Sequence, residues 1–172
     1  MKQELRESST LASIDEARFK ATMRCIASTV TVITSRLGAI TNGMTATAVC
    51  SVSSTPPSIL VVINQSSRSH DLIEQGGSFA VNILSAEQAA LAHHFAAKSD
   101  DPLQDIDHRS GVTGVPVIEG CVAQLECVVE TKVAAGTHSI FIGRVVAVEE
   151  TDRMPLMYRN GRVLWLERAL GG

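Results

Sequence analysis

Aromatic side chains are nearly missing from this chain: Phe, Trp and Tyr together make up 3% of its 172 residues. A core must therefore be assembled from Val, Ile, Leu and Ala, a mixture that favours strands. Runs of Lys or Arg are also absent. With a net charge of −3, no clustered cations are offered to a phosphodiester backbone, so nucleic acid is not expected as a partner. No stretch of about 18 consecutive apolar residues occurs, so no membrane-spanning helix is expected. Residues 1–10 are polar and lack the apolar centre of a signal peptide, which makes the cytoplasm the expected location. Cys25, Cys50, Cys121 and Cys127 show no C-x-x-C spacing. Each sits in an apolar segment and is read as a small buried thiol, and no metal site is expected. No G-x-G-x-x-G follows a strand-like run, so a Rossmann site is not implied. No internal repeat of roughly 20–50 residues is apparent.

What remains is globular composition, 45% hydrophobic and 19% charged, in a chain long enough for one full core. Residues 1–12 read as a flexible arm and 13–170 as a single domain. Ser13-x-x-Glu16 fits a capping box, with a helix following to Ile26 whose Phe19, Thr22, Met23 and Ile26 share an apolar, core-facing stripe. Val30–Ser35 reads as a strand. Asp71–Gln75 reads as a short helix stopped by Gly76-Gly77. Ser78–Leu84 is a strand, and Ser85 with Gln88 caps a further helix running to Ala97. Residues 98–114 are charged and turn-rich, a loop or lid. Cys121–Val133 and a strand from His138 or Ser139 to Val148 form a long hairpin about Gly136, and Pro155–Tyr158 and Arg162–Leu166 make a last short strand pair around Arg159-Asn160-Gly161. Strands dominate and do not alternate regularly with helices, so the expected fold is mainly β, an antiparallel barrel with peripheral helices.

The most informative stretch runs from Gly43 to Asn64. Its first half, Gly43-Met44-Thr45-Ala46-Thr47-Ala48-Val49-Cys50-Ser51-Val52-Ser53, crowds small and hydroxyl side chains together. Side chains this small let a flat ligand approach the main chain and use its N–H groups. After Pro56-Pro57 the run Ser58–Asn64 is nearly all aliphatic, as in a strand buried on both faces. It ends at Gln65-Ser66-Ser67-Arg68-Ser69-His70, hydroxyls around a fixed positive charge. Such a wall and turn suit a ligand with a planar ring at one end and a phosphate at the other.

These residues resemble the flavin reductase family, most closely the reductase components of two-component aromatic monooxygenases such as the 4-hydroxyphenylacetate 3-monooxygenase reductase. Further likenesses are Ser67-Arg68-Ser69-His70, Phe79–Leu84, His94-Phe95, Gly136-Thr137-His138 and Pro155–Gly161, in the family's order over roughly residues 15–166. The resemblance implies an FMN-binding split β-barrel with peripheral α-helices, normally a homodimer. It implies NADH-dependent, or NADPH-dependent, reduction of FMN or FAD, with reduced flavin released to a separate flavin-dependent monooxygenase. Carried over by position, Asn42, Gly43, Met44, Thr45, Ala46, Thr47 and Ala48 would line the flavin ring, with Ser53 in the same run. Val62, Ile63 and Asn64 would follow the ribityl chain; Ser67, Arg68 and Ser69 would grip the phosphate, and His94 would close that end. His138 would be the catalytic histidine beside the nicotinamide, with Tyr158, Arg159, Asn160 and Gly161 on the pyridine nucleotide. Family members often carry Asp before this histidine, where this chain has Thr137. A non-enzymatic split-barrel protein holding flavin or haem is the alternative.

Overall fold

The computed structural model describes residues 12–164. Most of the expected arm, and Trp165 and Leu166 of the last expected strand, lie outside that range. The structure is mainly β. Its main sheet has seven strands: β2 (Thr31–Leu37), β3 (Ile40–Ala46), β4 (Val49–Ser54), β5 (Pro57–Asn64), β6 (Ser78–Ile83), β9 (Ala123–Ala135) and β10 (His138–Glu150). They run in the order β3-β2-β6-β9-β10-β5-β4, and every neighbouring pair is antiparallel. Two register shifts in the β9–β10 ladder, at Ile142/Gly143 and Val145/Ala147, bend the long hairpin as bulges do. A second sheet joins β1 (Ser28–Thr29) to the hairpin β11 (Met157–Arg159) and β12 (Arg162–Leu164), and β7 (His108–Ser110) pairs with β8 (Pro116–Ile118).

Alternation along the strands divides the core. Ile33, Ile59, Val61, Ile63, Phe79, Val81 and Phe141 pack together with Ile73 of helix α2 (Arg68–Gly76). Val30, Val32, Leu84, Ile118 and Leu156 pack on Phe95, which follows helix α3 (Ala89–His94). Helix α2 ends as the glycine pair predicts, with Gly77 in the left-handed region at φ 69°, a conformation nearly free of cost without a Cβ.

Several expectations need correction. Helix α1 (Glu16–Met23) is capped by Asp15, whose carboxylate accepts from the Arg18 N–H at 2.8 Å, not by Ser13. Its apolar stripe is not core: Phe19, Met23 and Ile26 are 51%, 41% and 54% exposed. Helical periodicity shows that such a stripe exists, but not what covers it. The small-residue run is two strands, broken at Thr47-Ala48 before the cis Thr55–Pro56 bond. The region after Ser85 begins as a single 3₁₀ turn, Ala86–Gln88, before α3. The 98–114 segment is less irregular than its composition implies, because buried Glu126 accepts from Val112 N, Thr113 N and Thr113 Oγ1 at 3.1, 2.9 and 2.7 Å.

The thiols divide two and two. Cys121 and Cys127 are buried as expected, whereas Cys25 and Cys50 are exposed: one lies just past the uncovered α1, the other on end strand β4. Burial pushes the thiols of Cys121 and Cys127 up to about 12, which leaves almost no thiolate near neutrality. At about pH 8 an aromatic disulfide reagent should therefore titrate Cys25 and Cys50 promptly, and Cys121 and Cys127 only after unfolding. Four fast thiols in the native protein would contradict this burial.

Candidate active site

Strand β3 ends the main sheet, paired among the described residues with β2 alone. Thr45 N donates away from β2, to the Phe95 carbonyl at 3.2 Å. By the alternation of antiparallel ladders, the main-chain groups of Gly43, opposite Thr34, point to that same outer side. The Phe95 ring closes on Gly43 so tightly that a Cβ there would lie 2.5 Å from Cε1. The position thus requires glycine for close approach rather than for a positive φ. The Thr45 hydroxyl donates to the Ala92 carbonyl at 2.7 Å, fastening β3 to α3. Buried Asn42 donates to buried Ser69 at 2.6 Å, fastening β3 to α2.

Two clefts meet this strand. The first, of about 530 Å³, is lined by Asn42, Gly43 and Met44, by Ser66, Ser67 and Arg68 at the start of α2, and by Phe95–Asp100 and Pro102. Ser67 caps α2, its hydroxyl oxygen accepting from His70 N at 3.2 Å while donating to the Asn64 carbonyl at 2.8 Å. Arg68 donates through one Nη to the Asp100 carbonyl at 2.6 Å. It makes no salt bridge among the described residues. With Lys98 also on the wall and a helix N-terminus at its edge, the cleft can hold a phosphate-like anion. The second cleft, of about 490 Å³, lies where Thr47, Tyr158, Asn160 and Gly161 face Phe19, Met23, Arg24 and Ile26 of the α1 region. A smaller apolar cleft of about 180 Å³ connects the two ends of the site through Thr45, Thr47, His93, Ala96 and Tyr158. From Asn42 to Ala46 the strand spans about 13 Å. One elongated ligand with an anionic end and a flat end could lie along it.

Other expected residues sit elsewhere. Ile63 is fully buried in the core, and the Val62 N–H donates to the Ala48 carbonyl at 3.1 Å. Ala46 packs against the main core and Ala48 is exposed. Asn64 shapes the turn before α2, its Oδ1 accepting from Ser66 N at 2.8 Å. Ser53 is exposed and accepts from Thr55 N at 3.0 Å. His94 lines neither large cleft; a ring nitrogen meets the Pro102 carbonyl at 2.7 Å, which anchors the loop bearing Lys98 and Asp100. Its neighbour His93 faces the small cleft instead. Arg159 donates to the Cys25 carbonyl at 3.2 Å, tying the last hairpin to the end of α1.

His138 opens β10 opposite Asn64, and its carbonyl accepts from Gln65 Nε2 at 3.0 Å. The Thr137 hydroxyl lies 2.9 Å from His138 Nδ1, a contact to the ring from the position where family members often carry Asp. His138 and Tyr158 share neither large cleft. Lys98, Ser99 and His93 are lining residues to which no sequence pattern assigns a role. Phe95 enters only as part of the His94-Phe95 likeness, and Lys98 and Ser99 only as the start of the expected 98–114 loop.

The family described as "Flavin reductase like domain" matches residues 23–167. The chain is 36% identical over 152 residues to the reductase component of 4-nitrophenol 4-monooxygenase/4-nitrocatechol 2-monooxygenase of Rhodococcus opacus, covering 88% of this chain and 82% of that protein. It is 35% identical over 136 residues to an FMN reductase (NADH) of Klebsiella pneumoniae subsp. pneumoniae, covering 78% and 83%. Among solved structures, the NADH:FAD oxidoreductase SgcE6 of Streptomyces globisporus C-1027, in complex with NAD and FAD fragments, superposes with a TM-score of 0.87. Identity there is 30%, over 93% of this chain and 100% of that one. The match takes in the first cleft, most of the second and the strand between them, and on it the chain belongs to the flavin reductase-like domain family.

Proposed function

We propose that this chain is an NAD(P)H-dependent reductase of FMN or FAD, with NADH as its usual reductant, that releases reduced flavin to a separate flavin-dependent monooxygenase. The observation that carries this reading is the β3 edge, running from a cleft with two cations to an apolar cleft. A flavin fits that edge: its phosphate by Arg68, Lys98 and the α2 N-terminus, its ring along the main chain from Gly43 to Thr47. The named relatives include an FMN reductase and an NADH:FAD oxidoreductase, so both flavins are within the proposal. Tyr158, Asn160 and Gly161 would hold the pyridine nucleotide in the second cleft.

Bound together, the two cofactors supply the hydride transfer, from nicotinamide C4 to flavin N5. The chain's contribution is orientation, with main-chain N–H groups such as that of Gly43 holding the ring carbonyls, the Thr45 N–H being taken by the Phe95 carbonyl, and His138 ordering the nicotinamide. We further propose that the seven-stranded sheet, bent where the β9–β10 ladder shifts register, curls into a split barrel within one domain over 13–170. Two copies would associate, covering exposed apolar residues such as Phe19, Ile26, Val52 and Val133 and bringing His138 and Tyr158 to one nicotinamide. Light scattering of the purified protein reads the copy number directly.

The deciding experiment follows loss of NADH absorbance with FMN or FAD added in turn. Turnover that saturates with added flavin supports the reductase, and the lower KM names its flavin. Bound flavin without NADH or NADPH oxidation leaves a flavin-binding protein instead. His138→Ala should lower kcat with NADH about tenfold and leave flavin affinity nearly unchanged, because orientation of the donor, not flavin binding, is lost. Equal loss of both would refute that division.

A further inference from the structure

One buried titratable group has no part in the mechanism above. His70, 6% exposed, lies in the first turn of α2, two residues past Arg68. Its Nε2 is 3.0 Å from the Ser139 Oγ, and Ser139 is itself only 1% exposed. The ring meets Phe141 edge-on at 5.3 Å, so two residues of β10 hold it. On the other side Nδ1 faces the carboxylates of Asp71 at 3.4 Å and Glu74 at 3.7 Å. Glu74 in turn pairs with Lys132 of β9, the residue opposite Phe141 in the β9–β10 ladder. The carboxylates favour a proton on Nδ1, which leaves Nε2 to accept from the Ser139 hydroxyl.

The consequence is positional. Ser139 directly follows His138, so the imidazole links the start of β10 to the helix turn that presents Ser67 and Arg68. A second link, from Gln65 to Thr137 and His138 through main-chain and side-chain bonds of 3.0 Å, fixes the same junction from the preceding turn. Neither link lines the three clefts of the candidate site.

We propose that His70 is a positioning residue for flavin reduction: through Ser139 it sets His138 relative to the α2 N-terminus. The inference rests on the reading of His138 and Arg68 given under Proposed function. It is tested by steady-state kinetics with NADH and by flavin binding, on Ser139→Ala, His70→Ala, His70→Gln and the double variant His70→Ala/Ser139→Ala. Ser139→Ala removes only the hydroxyl, so it tests the link even if His70→Ala folds poorly. The expected result is about a fivefold fall in kcat for each alanine variant, with flavin affinity changed less than about twofold. His70→Gln, whose amide can reach Ser139, should restore most of the loss. The double variant should lose no more than either single, because both remove one interaction. Losses that multiply, no rescue by glutamine, or flavin affinity falling in step with kcat would overturn the inference. His138→Ala run alongside separates the two levels. Unchanged turnover there overturns the reading of His138 and the inference with it. Lost turnover there, with Ser139→Ala and His70→Ala at full rate, overturns the inference alone.

Discussion

Arg68→Ala is expected to weaken FMN binding by roughly 10- to 150-fold while changing riboflavin binding little. The range corresponds to the about 1.5–3 kcal/mol that a hydrogen bond to a charged group contributes. Arg68 is exposed, and its recorded partner is a main-chain carbonyl, that of Asp100, which uses one of five guanidinium donors. The remaining donors face a cleft that holds Lys98 and the capped N-terminus of α2. Removing the guanidinium takes away one of two fixed cations, and the helix terminus and Lys98 cannot supply its planar fork. Riboflavin has the ring and chain without the phosphate, so it reads everything except this charge. The FMN advantage should also shrink as salt rises in the wild type, because an open cleft is screened. Equal weakening of FMN and riboflavin would instead assign Arg68 to holding the 98–102 loop through Asp100.

Much of this was legible because strands and turns are written locally. The aliphatic run to Asn64, the strand after Gly77 and the long hairpin about Gly136 each matched a period or a turn residue, and each stands in the structure within a few residues. Tertiary relationships were not legible. The Phe19–Ile26 stripe has the spacing of a core face, yet no other segment among the described residues buries it. The strand break at Thr47-Ala48 carries no Gly, Pro or Asn to mark it in the sequence. At the site, Asn42, Gly43, Met44, Ser67 and Arg68 converge on one cleft, as the small-residue wall and arginine turn implied. Ser69 and Ile63 belong to the same motifs but point inward, because only alternate strand residues and one helix face can reach a ligand. Lys98 arrives through a loop held by the His94–Pro102 and Arg68–Asp100 contacts, bonds between residues whose pairing no spacing rule encodes.

Gly43→Ala is the complementary test, with loss expected for FMN and riboflavin alike. A Cβ at this position would stand 2.5 and 2.7 Å from two carbons of the Phe95 ring, closer than non-bonded carbons approach. Phe95 cannot simply swing away. It is 3% exposed in the core that holds Val30, Val32, Leu84 and Leu156, and its carbonyl accepts the Thr45 N–H. Either the ring shifts into that core or β3 moves outward, and overpacking of this kind costs about 1–3 kcal/mol of stability. Both responses narrow or displace the edge along which the flavin ring is proposed to lie, so affinity for any flavin should fall by at least about tenfold. A second substitution separates the two routes. Phe95→Leu in the Gly43→Ala background removes the clashing ring carbons, and should recover thermal stability if the ring was the obstacle. If flavin affinity returns with it, Gly43 serves by keeping Phe95 and the β3 edge in register. If stability returns and affinity does not, the methyl group itself blocks the main chain of Gly43, which then contacts the flavin directly.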